Sequence, residues 1–215
     1  MNGVSWTPAS PGRPRPIDRK TAPGPILTTM QTRFLTNQFL IAMPTMGDPN
    51  FDHTVTFICE HNDDGALGLV INRPSGMRLG DIFEQMSLDP WEPRLGESPV
   101  LHGGPVQPER GFVIHDREGE WGSTLPVSDT IQVTTSRDVL ESMAAGKGPD
   151  NALVALGYAG WGSGQLEGEM SANAWLTVPA DRDIIFTIPF EERWRAAAAL
   201  IGIDIDQISS DVGHA

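Results

Sequence analysis

The chain has 215 residues and a formal net charge of −13, from 15 lysines and arginines against 28 aspartates and glutamates. This length allows one domain with a substantial core, and the negative charge disfavours nucleic acid as a direct partner because it repels phosphates. A single cysteine, Cys59, excludes an intrachain disulfide framework and is typical of a reducing cytosol. No apolar run approaches the roughly 20 residues that a membrane helix needs, so the sequence predicts a cytoplasmic protein that does not enter a membrane.

Residues 1–33 are rich in proline and poor in side chains that build a core. They are therefore predicted to be a disordered tail, in which Trp6 and the Ile26-Leu27 pair can dock locally. Five basic residues against Asp18 alone give the tail a charge of +4 and leave −17 for the rest of the chain. We expect no specific binding to duplex DNA, because the tail offsets the acidic body only locally. Residues 34–215 are predicted to form a single domain.

The first three apolar runs of the domain predict β-strands at 39–43, 54–59 and 66–71. The turn-forming residues at 62–65 join the second and third runs into a hairpin. Polar residues follow both of these runs, at 60–62 and 72–73. The sequence therefore predicts a hairpin with a buried body and polar groups near its strand ends.

The rest of the chain alternates between short strands and helices. Apolar spacing predicts helices at 79–86, 136–145, 165–174 and 190–201. Further strands are predicted at 99–101, 112–114, 131–135, 152–158, 175–178 and 184–188. Adjacent strands with scattered helices indicate a single α+β domain with a mixed or strongly curved, barrel-like sheet and helices packed on its outside.

Several longer motifs resemble the AlgH/YqgE family of bacterial proteins. They are the stretch 39–74, Leu101 to Gln107, Arg110 to His115, Leu156 to Glu167 with Asn173 and Trp175, Arg193-Trp194, and the terminal Gly213-His214-Ala215. The resemblance covers roughly residues 34–215. It implies a single α+β domain and a proposed transcriptional-regulatory role without an agreed mechanism.

Polar groups at the ends of apolar runs are the main candidates for a functional site, because sites tend to be built there. We predict that His61, Asn72, Arg73, His102 and the 160–167 turn line one concave region. The candidate ligand-binding residues are Glu60, His61, Asn62, Asn72, Arg73, His102, Gly103, Gly104, Gln107, His115, Trp161, Gln165 and Glu167. The expected partner is an unknown protein or small molecule. No cofactor and no metal are expected, since the histidines lack metal-ligand spacing.

Two chemical interpretations of Glu60 and His61 stay open. As a catalytic pair they would transfer protons, and strand alternation places Cys59 on the face of His61 as a redox or thiolate candidate. As structural residues, Glu60 would accept amide hydrogen bonds near the turn, and His61 would be the more exposed of the two. The enzyme alternative is a hydrolase or thiol-dependent enzyme with a pocket formed by 60–62, 72–74, 102–105 and 160–167. The G-x-S-x-G motif of α/β-hydrolases is absent.

The segment 157–167 predicts a buried strand, a Gly-rich turn and a helix. That order can present free amides to an anion, but Glu167 and Glu169 would repel phosphate and the spacing is not that of a dinucleotide-binding fingerprint. A structural turn and a cradle for a small ligand or peptide both remain consistent with it.

Overall fold

The computed structural model describes residues 4–5, 34–116 and 119–210. The strands are β1 (Gln38–Ala42), β2 (Val55–Asn62), β3 (Gly65–Val70), β4 (Pro74–Arg78), β5 (Pro99–His102), β6 (Val106–Asp116), β7 (Thr124–Pro126), β8 (Ile131–Thr134), β9 (Ala152–Gly162) and β10 (Trp175–Pro179). The helices are α1 (Leu79–Gln85), α2 (Arg137–Ala144), α3 (Gln165–Ser171), α4 (Arg182–Phe186), α5 (Arg193–Ala199) and α6 (Ile205–Ser210), with a 3-10 helix at Pro93–Glu97.

The described strands form one ten-stranded sheet. Eight strands follow the order β10-β1-β2-β3-β9-β6-β8-β7, and the other two branch from β9, where β5 pairs with β9 and β4 pairs with β5. Strand β9 is the central strand of the sheet and pairs with three others. Its first half pairs with β6 and, in parallel, with β5, while its second half pairs with β3. Gly157, with φ +72°, lies between the halves. The predicted α+β domain with a mixed, strongly curved sheet is confirmed.

Three apolar clusters pack against the sheet. One joins Phe57 and Phe112 to helices α4 and α5, and another joins α1 and α2 to Val113. The third contains Leu40, Ile58, Ala159, Trp161, Leu166 and Trp175. Burying such side chains stabilises a fold by about 1.5–3 kcal/mol each. The third cluster contains Trp161, near the end of β9, and Trp175, at the start of β10, and the candidate site lies beside them.

Several predicted elements differ from the observed ones. The prediction of a strand at 184–188 is wrong, because helix α4 begins just before it. The Asp181 side chain caps this helix by accepting hydrogen bonds from the backbone amides of Asp183 and Ile184. The last predicted helix, 190–201, is shorter, since α5 spans Arg193–Ala199. Strand β4 was not predicted. Strand β9 continues through the predicted Gly-rich turn as far as Gly162, so the turn is confined to residues 163–164.

Residues 4 and 5, the described residues before Phe34, contact the domain. Ser5 forms a parallel bridge with Arg110, and Val4 packs against the cluster under α1 and α2. The predictions for Trp6, the Ile26-Leu27 pair and the Gly213-His214-Ala215 motif lie outside the described residues. No described helix is long and apolar enough to span a membrane.

Candidate functional site

A β-bulge precedes the polar residues at the end of β2. The pairing of β2 with β3 shifts between Ile58 and Glu60, so that Glu60 pairs with Leu67 and His61 with Ala66. An extra residue in one strand moves every following side chain to the opposite face. Cys59 therefore packs into the large cluster with α4 and α5, whereas His61 is paired with Ala66, which packs against the cluster on the other face. The prediction that Cys59 and His61 share a face is wrong.

His61 is a buried structural residue, with 6% of its surface exposed. Its Nδ1 accepts the amide N–H of Leu35 at 3.0 Å, so Nε2 carries the proton and donates to Glu167 at 3.1 Å. The ring also meets Phe34 edge-on, with 5.4 Å between centroids. Glu60 is exposed and accepts a hydrogen bond from Asn62 at 3.1 Å. The expectation that His61 is the more exposed of the two is wrong, and the bulge is the reason.

We expect His61→Gln to lower the free energy of unfolding by about 1–3 kcal/mol, because one of two buried hydrogen-bond partners is left unpaired. Glu60→Gln is the matched control and should change it by less than about 0.5 kcal/mol, since the side chain is exposed. Urea unfolding of both variants beside the wild type measures the difference. A larger loss for Glu60→Gln than for His61→Gln would contradict the observed faces of β2.

The Cys59 thiol does not fit a redox or nucleophilic role. It is 1% exposed and donates to the carbonyl of Phe57 at 3.5 Å. Burial raises the pKa of Cys59 well above its ordinary value, and the nearby charge of Glu60 raises it further. Because the thiolate is the reactive form, Cys59 is a core residue, and the redox prediction is corrected.

His115 is also part of the core rather than a ligand group. Its Nδ1 donates to the carbonyl of Asp116 at 2.7 Å, and its Nε2 accepts the hydroxyl of Thr134 at 2.9 Å. Burial lowers the pKa of His115, against the smaller opposing effects of the Asp116 carbonyl and carboxylate. The imidazole is therefore held neutral and fully paired.

The corner at residues 102–105 packs closely against the backbone of β9. The Gly103 amide donates to the carbonyl of Leu156 at 2.8 Å, so it is not free to hold an oxyanion. A Cβ on Gly104 would lie 2.2 Å from the carbonyl carbon of Tyr158. His102 is half-buried at the end of β5, and Gln107 is exposed and bonded to Arg110. The corner can lie this close to β9 because Gly103 and Gly104 have no side chains.

Asn72 and Arg73 hold the loop 46–53 in place. The Arg73 guanidinium donates to the carbonyls of Pro49 and Asn50, both at 2.8 Å, and of Asp52 at 2.6 Å. The Asn72 amide accepts from Val55 and donates to the carbonyl of His53, both at 2.9 Å. Together with Asp52, His53 and Trp194, these two residues line a separate cavity. The predicted single concave region therefore does not form: Asn72, Arg73, His61 and His102 are absent from the linings around Trp161.

The remaining candidates line two cavities of about 430 and 210 Å³, which share Gly160 and Trp161 in their linings. We call the two cavities together the Trp161 site. The larger is also lined by Glu60, Asn62, Asp64, Gly65, Ala66, Leu67, Val106 and Tyr158. The smaller is also lined by Met46, Asp48, Phe51, Pro105, Gln165, Glu169, Ala174 and Trp175. His61 and Glu167 form their hydrogen-bonded pair outside this lining.

The Trp161 site carries negative charge. Its described lining includes four carboxylates and neither lysine nor arginine: Asp48, Glu60, Asp64 and Glu169. Carboxylates around a cleft with low-dielectric walls focus a negative potential there. The arrangement favours a cation and disfavours a phosphate.

Phe51, Trp161 and Trp175 pack against one another at the edge of the smaller cavity. Their ring centroids lie 6.2 Å apart for Phe51 and Trp161, 5.4 Å for Phe51 and Trp175, and 6.1 Å for the two tryptophans. Both indole N–H groups donate to one oxygen of Glu169, at 2.9 and 2.8 Å. The other oxygen accepts from Gln165 at 3.0 Å. The Glu169 carboxylate thus fixes the orientation of both indoles.

Comparison with known proteins identifies the family. A protein-family model described as AlgH-like matches residues 39–206 of the chain. The chain belongs to the AlgH-like family. A UPF0301 protein of Thioalkalivibrio sulfidiphilus is 58% identical over 180 residues, which cover 84% of this chain and 96% of that protein. A UPF0301 protein of Methylococcus capsulatus is 53% identical over 184 residues, 86% and 98% of the two chains.

Solved structures share the AlgH-like fold. The solution structure of the AlgH protein from Pseudomonas aeruginosa has a TM-score of 0.71 at 49% identity and covers 88% of this chain and 100% of that chain. The crystal structure of protein DIP2367 from Corynebacterium diphtheriae has a TM-score of 0.64 at 16% identity and covers 81% and 91%, which shows the fold alone.

Proposed function

We propose that this AlgH-like protein is a cytoplasmic, regulatory binding protein whose Trp161 site takes up a cationic group of a small ligand or partner protein. The observation that carries the proposal is the lining of that site, which combines four carboxylates with aromatic rings and includes no basic side chain among its described residues. Charge complementarity of this kind steers a partner and selects its sign.

The groups available for catalysis support a binding role over the enzyme alternative. Cys59 is buried as a thiol, and both ring nitrogens of His61 are used in hydrogen bonds. Ser163 donates its hydroxyl to the carbonyl of Asp63 at 2.6 Å. Within the described part of the chain, neither Cys59 nor Ser163 has a histidine within hydrogen-bond distance, and an activated nucleophile needs such a base.

The overall charge points to the same kind of partner. A net charge of −13 repels nucleic-acid phosphates and attracts basic surfaces. A regulatory effect would then pass through a protein or small-ligand contact rather than through the reading of bases. The single buried thiol is compatible with the proposed cytoplasmic location.

We expect a short peptide of alternating lysine and glycine to bind at the Trp161 site, whereas the matching peptide of glutamate and glycine does not bind. Nuclear magnetic resonance can follow the titration, since the indole N–H signals of Trp161 and Trp175 report on the site directly. The double variant Asp48→Asn/Asp64→Asn should weaken binding by about threefold or more, because each exposed ion pair contributes up to about 1 kcal/mol. Added salt should weaken it further.

The matched control is the double variant Glu92→Gln/Asp150→Asn. These two residues line a separate groove beside Trp91, and their replacement changes the net charge by the same amount. Binding of the lysine peptide should be unchanged in this variant. Equal losses in the two double variants, or no shift at Trp161, would contradict the proposed site.

A further inference from the structure

We propose that the groove beside Trp91 binds the proline- and arginine-rich segment 8–20 of this same chain. The groove, which we call the Trp91 groove, has a volume of about 530 Å³. Segment 8–20 lies outside the described residues. The support comes from the groove, from the sequence of the segment and from the described residues on either side of it. This contact is separate from the Trp161 site and goes beyond the proposed function.

An exposed but well-supported tryptophan is the first support. Trp91 is 65% exposed, more than any other large apolar side chain in the described part of the chain. Its amide donates to the carbonyl of Ala144 at 2.8 Å. The ring lies against Gly146, where an added Cβ would come within 2.9 Å of it. A large ring that is already held in place loses little freedom when a partner covers it, which is typical of a docking anchor.

The lining of the Trp91 groove suits an extended proline-rich chain. A second aromatic ring and several apolar side chains line it, among them Leu95, Pro99, Pro149, Leu153 and Phe190. Aromatic-lined grooves bind proline-rich segments because the polyproline II conformation is preformed and costs little entropy. Segment 8–20 contains four prolines, and Pro11 and Pro14 have the P-x-x-P spacing of such ligands.

The charges of the groove and of the segment are complementary. Two acidic residues, Glu92 and Asp150, line the groove against one basic residue, Arg94. The segment has four basic residues against one acidic residue: Arg13, Arg15, Arg19, Lys20 and Asp18. Opposite charges fix the register of a docked chain. A guanidinium can also lie over the exposed face of the indole.

The course of the chain brings the segment to the groove. Val4 packs against the apolar cluster whose members Leu79, Met143 and Val154 also line the groove. An extended chain from Ser5 to Lys20 spans up to about 50 Å, and from Lys20 to Phe34 up to about 45 Å. Both distances are ample for a domain with a radius of gyration of about 16 Å. Tethering at both ends raises the effective concentration of the segment, so that a modest contact stays formed.

The test places a nitroxide at residue 12 of the whole chain, in the variant Gly12→Cys. Cys59 is 1% exposed, so the label reacts at the introduced thiol. We expect the indole N–H signal of Trp91 to be broadened beyond detection and to return when the nitroxide is reduced. The signals of Trp161, Trp175 and Trp194 should keep their intensity.

Replacing Pro11, Pro14 and Pro16 together with glycine in the labelled chain should restore the Trp91 signal, because the segment loses its preformed conformation. Arg13→Gln/Arg15→Gln should restore it in part. The matched control is Pro23→Gly/Pro25→Gly, which changes prolines beyond the segment and should leave the broadening as it is.

An undiminished Trp91 signal, or equal broadening of all the described tryptophans, would overturn the inference. Broadening that begins at Trp161 would also overturn it and would place the basic segment at the Trp161 site, in agreement with the proposed function. A mixture of nitroxide-labelled chain and unlabelled, nitrogen-15-enriched chain separates the two sources of the segment. Trp91 broadening in that mixture would assign the contact to a second copy and contradict docking within one chain.

Discussion

Replacing Gly104 with alanine should destabilise the domain by more than about 4 kcal/mol, or prevent folding altogether. Gly104 has φ +153°, a conformation that L-residues with a side chain rarely adopt. An added Cβ would lie 2.2 Å from the Tyr158 carbonyl carbon and 2.4 Å from the Ala159 nitrogen. Both atoms belong to the backbone of β9, where Ala159 is paired with β3, so neither can move away without breaking the sheet.

Gly168→Ala is the control for this prediction. Gly168 lies in α3, and nothing comes within 4 Å of the Cβ that alanine would add. Alanine has the higher helix propensity, so this variant should be neutral or more stable by up to about 1 kcal/mol. Urea unfolding gives both values. A Gly104→Ala variant within about 1 kcal/mol of the wild type would mean that the 102–105 corner does not press against β9.

Arg193→Ala should lower the free energy of unfolding by about 3 kcal/mol. Arg193 is 2% exposed, and its guanidinium donates to the carbonyls of Ile71 at 2.6 Å and Ile188 at 2.9 Å. It also lies over the ring of Phe190, 4.3 Å from the centroid. Truncation leaves two carbonyls unpaired beneath α5 and opens a cavity.

The charge of Arg193 opposes part of this stabilisation. Burial lowers the pKa of Arg193 to about 10, so the group stays protonated at neutral pH. No described carboxylate forms an ion pair with it. Arg193→Met refills the volume without the charge, and we expect it to remain less stable than the wild type because the carbonyls stay unpaired. Arg195→Ala, at an exposed position of the same helix, should change stability by less than about 1 kcal/mol. An Arg193→Met variant as stable as the wild type would show that the two hydrogen bonds contribute nothing net.

Local patterns in the sequence predicted much of the fold, since strand alternation and turn residues act over a few positions. The hairpin of β2 and β3 and the buried strand β9 follow from such patterns. Residues 184–188 show the limit. Their isoleucines favour a strand, but the Asp181 cap starts a helix.

The site was predicted less completely, because long-range contacts build it. Trp161, Gln165, Glu60 and Asn62 are candidates from their positions beside apolar runs, and each lines one or both of the two cavities. Phe51 and Asp48 were not predicted, because their loop is held beside the smaller cavity by hydrogen bonds from Arg73, more than 20 residues later in the chain. The sheet faces on which His61 and Cys59 lie depend on a β-bulge between Ile58 and Glu60, and no residue type in the sequence predicts that bulge.

The most direct test of a cation-binding Trp161 site uses the five described tryptophans as separate reporters. Trp91, Trp121 and Trp194 lie in other parts of the domain, against Gly146, His115 and His53. A lysine-glycine peptide carrying a nitroxide label should broaden the indole signals of Trp161 and Trp175 before those three. Broadening that begins at Trp91 or Trp194, or that is equal at all five, would contradict the account.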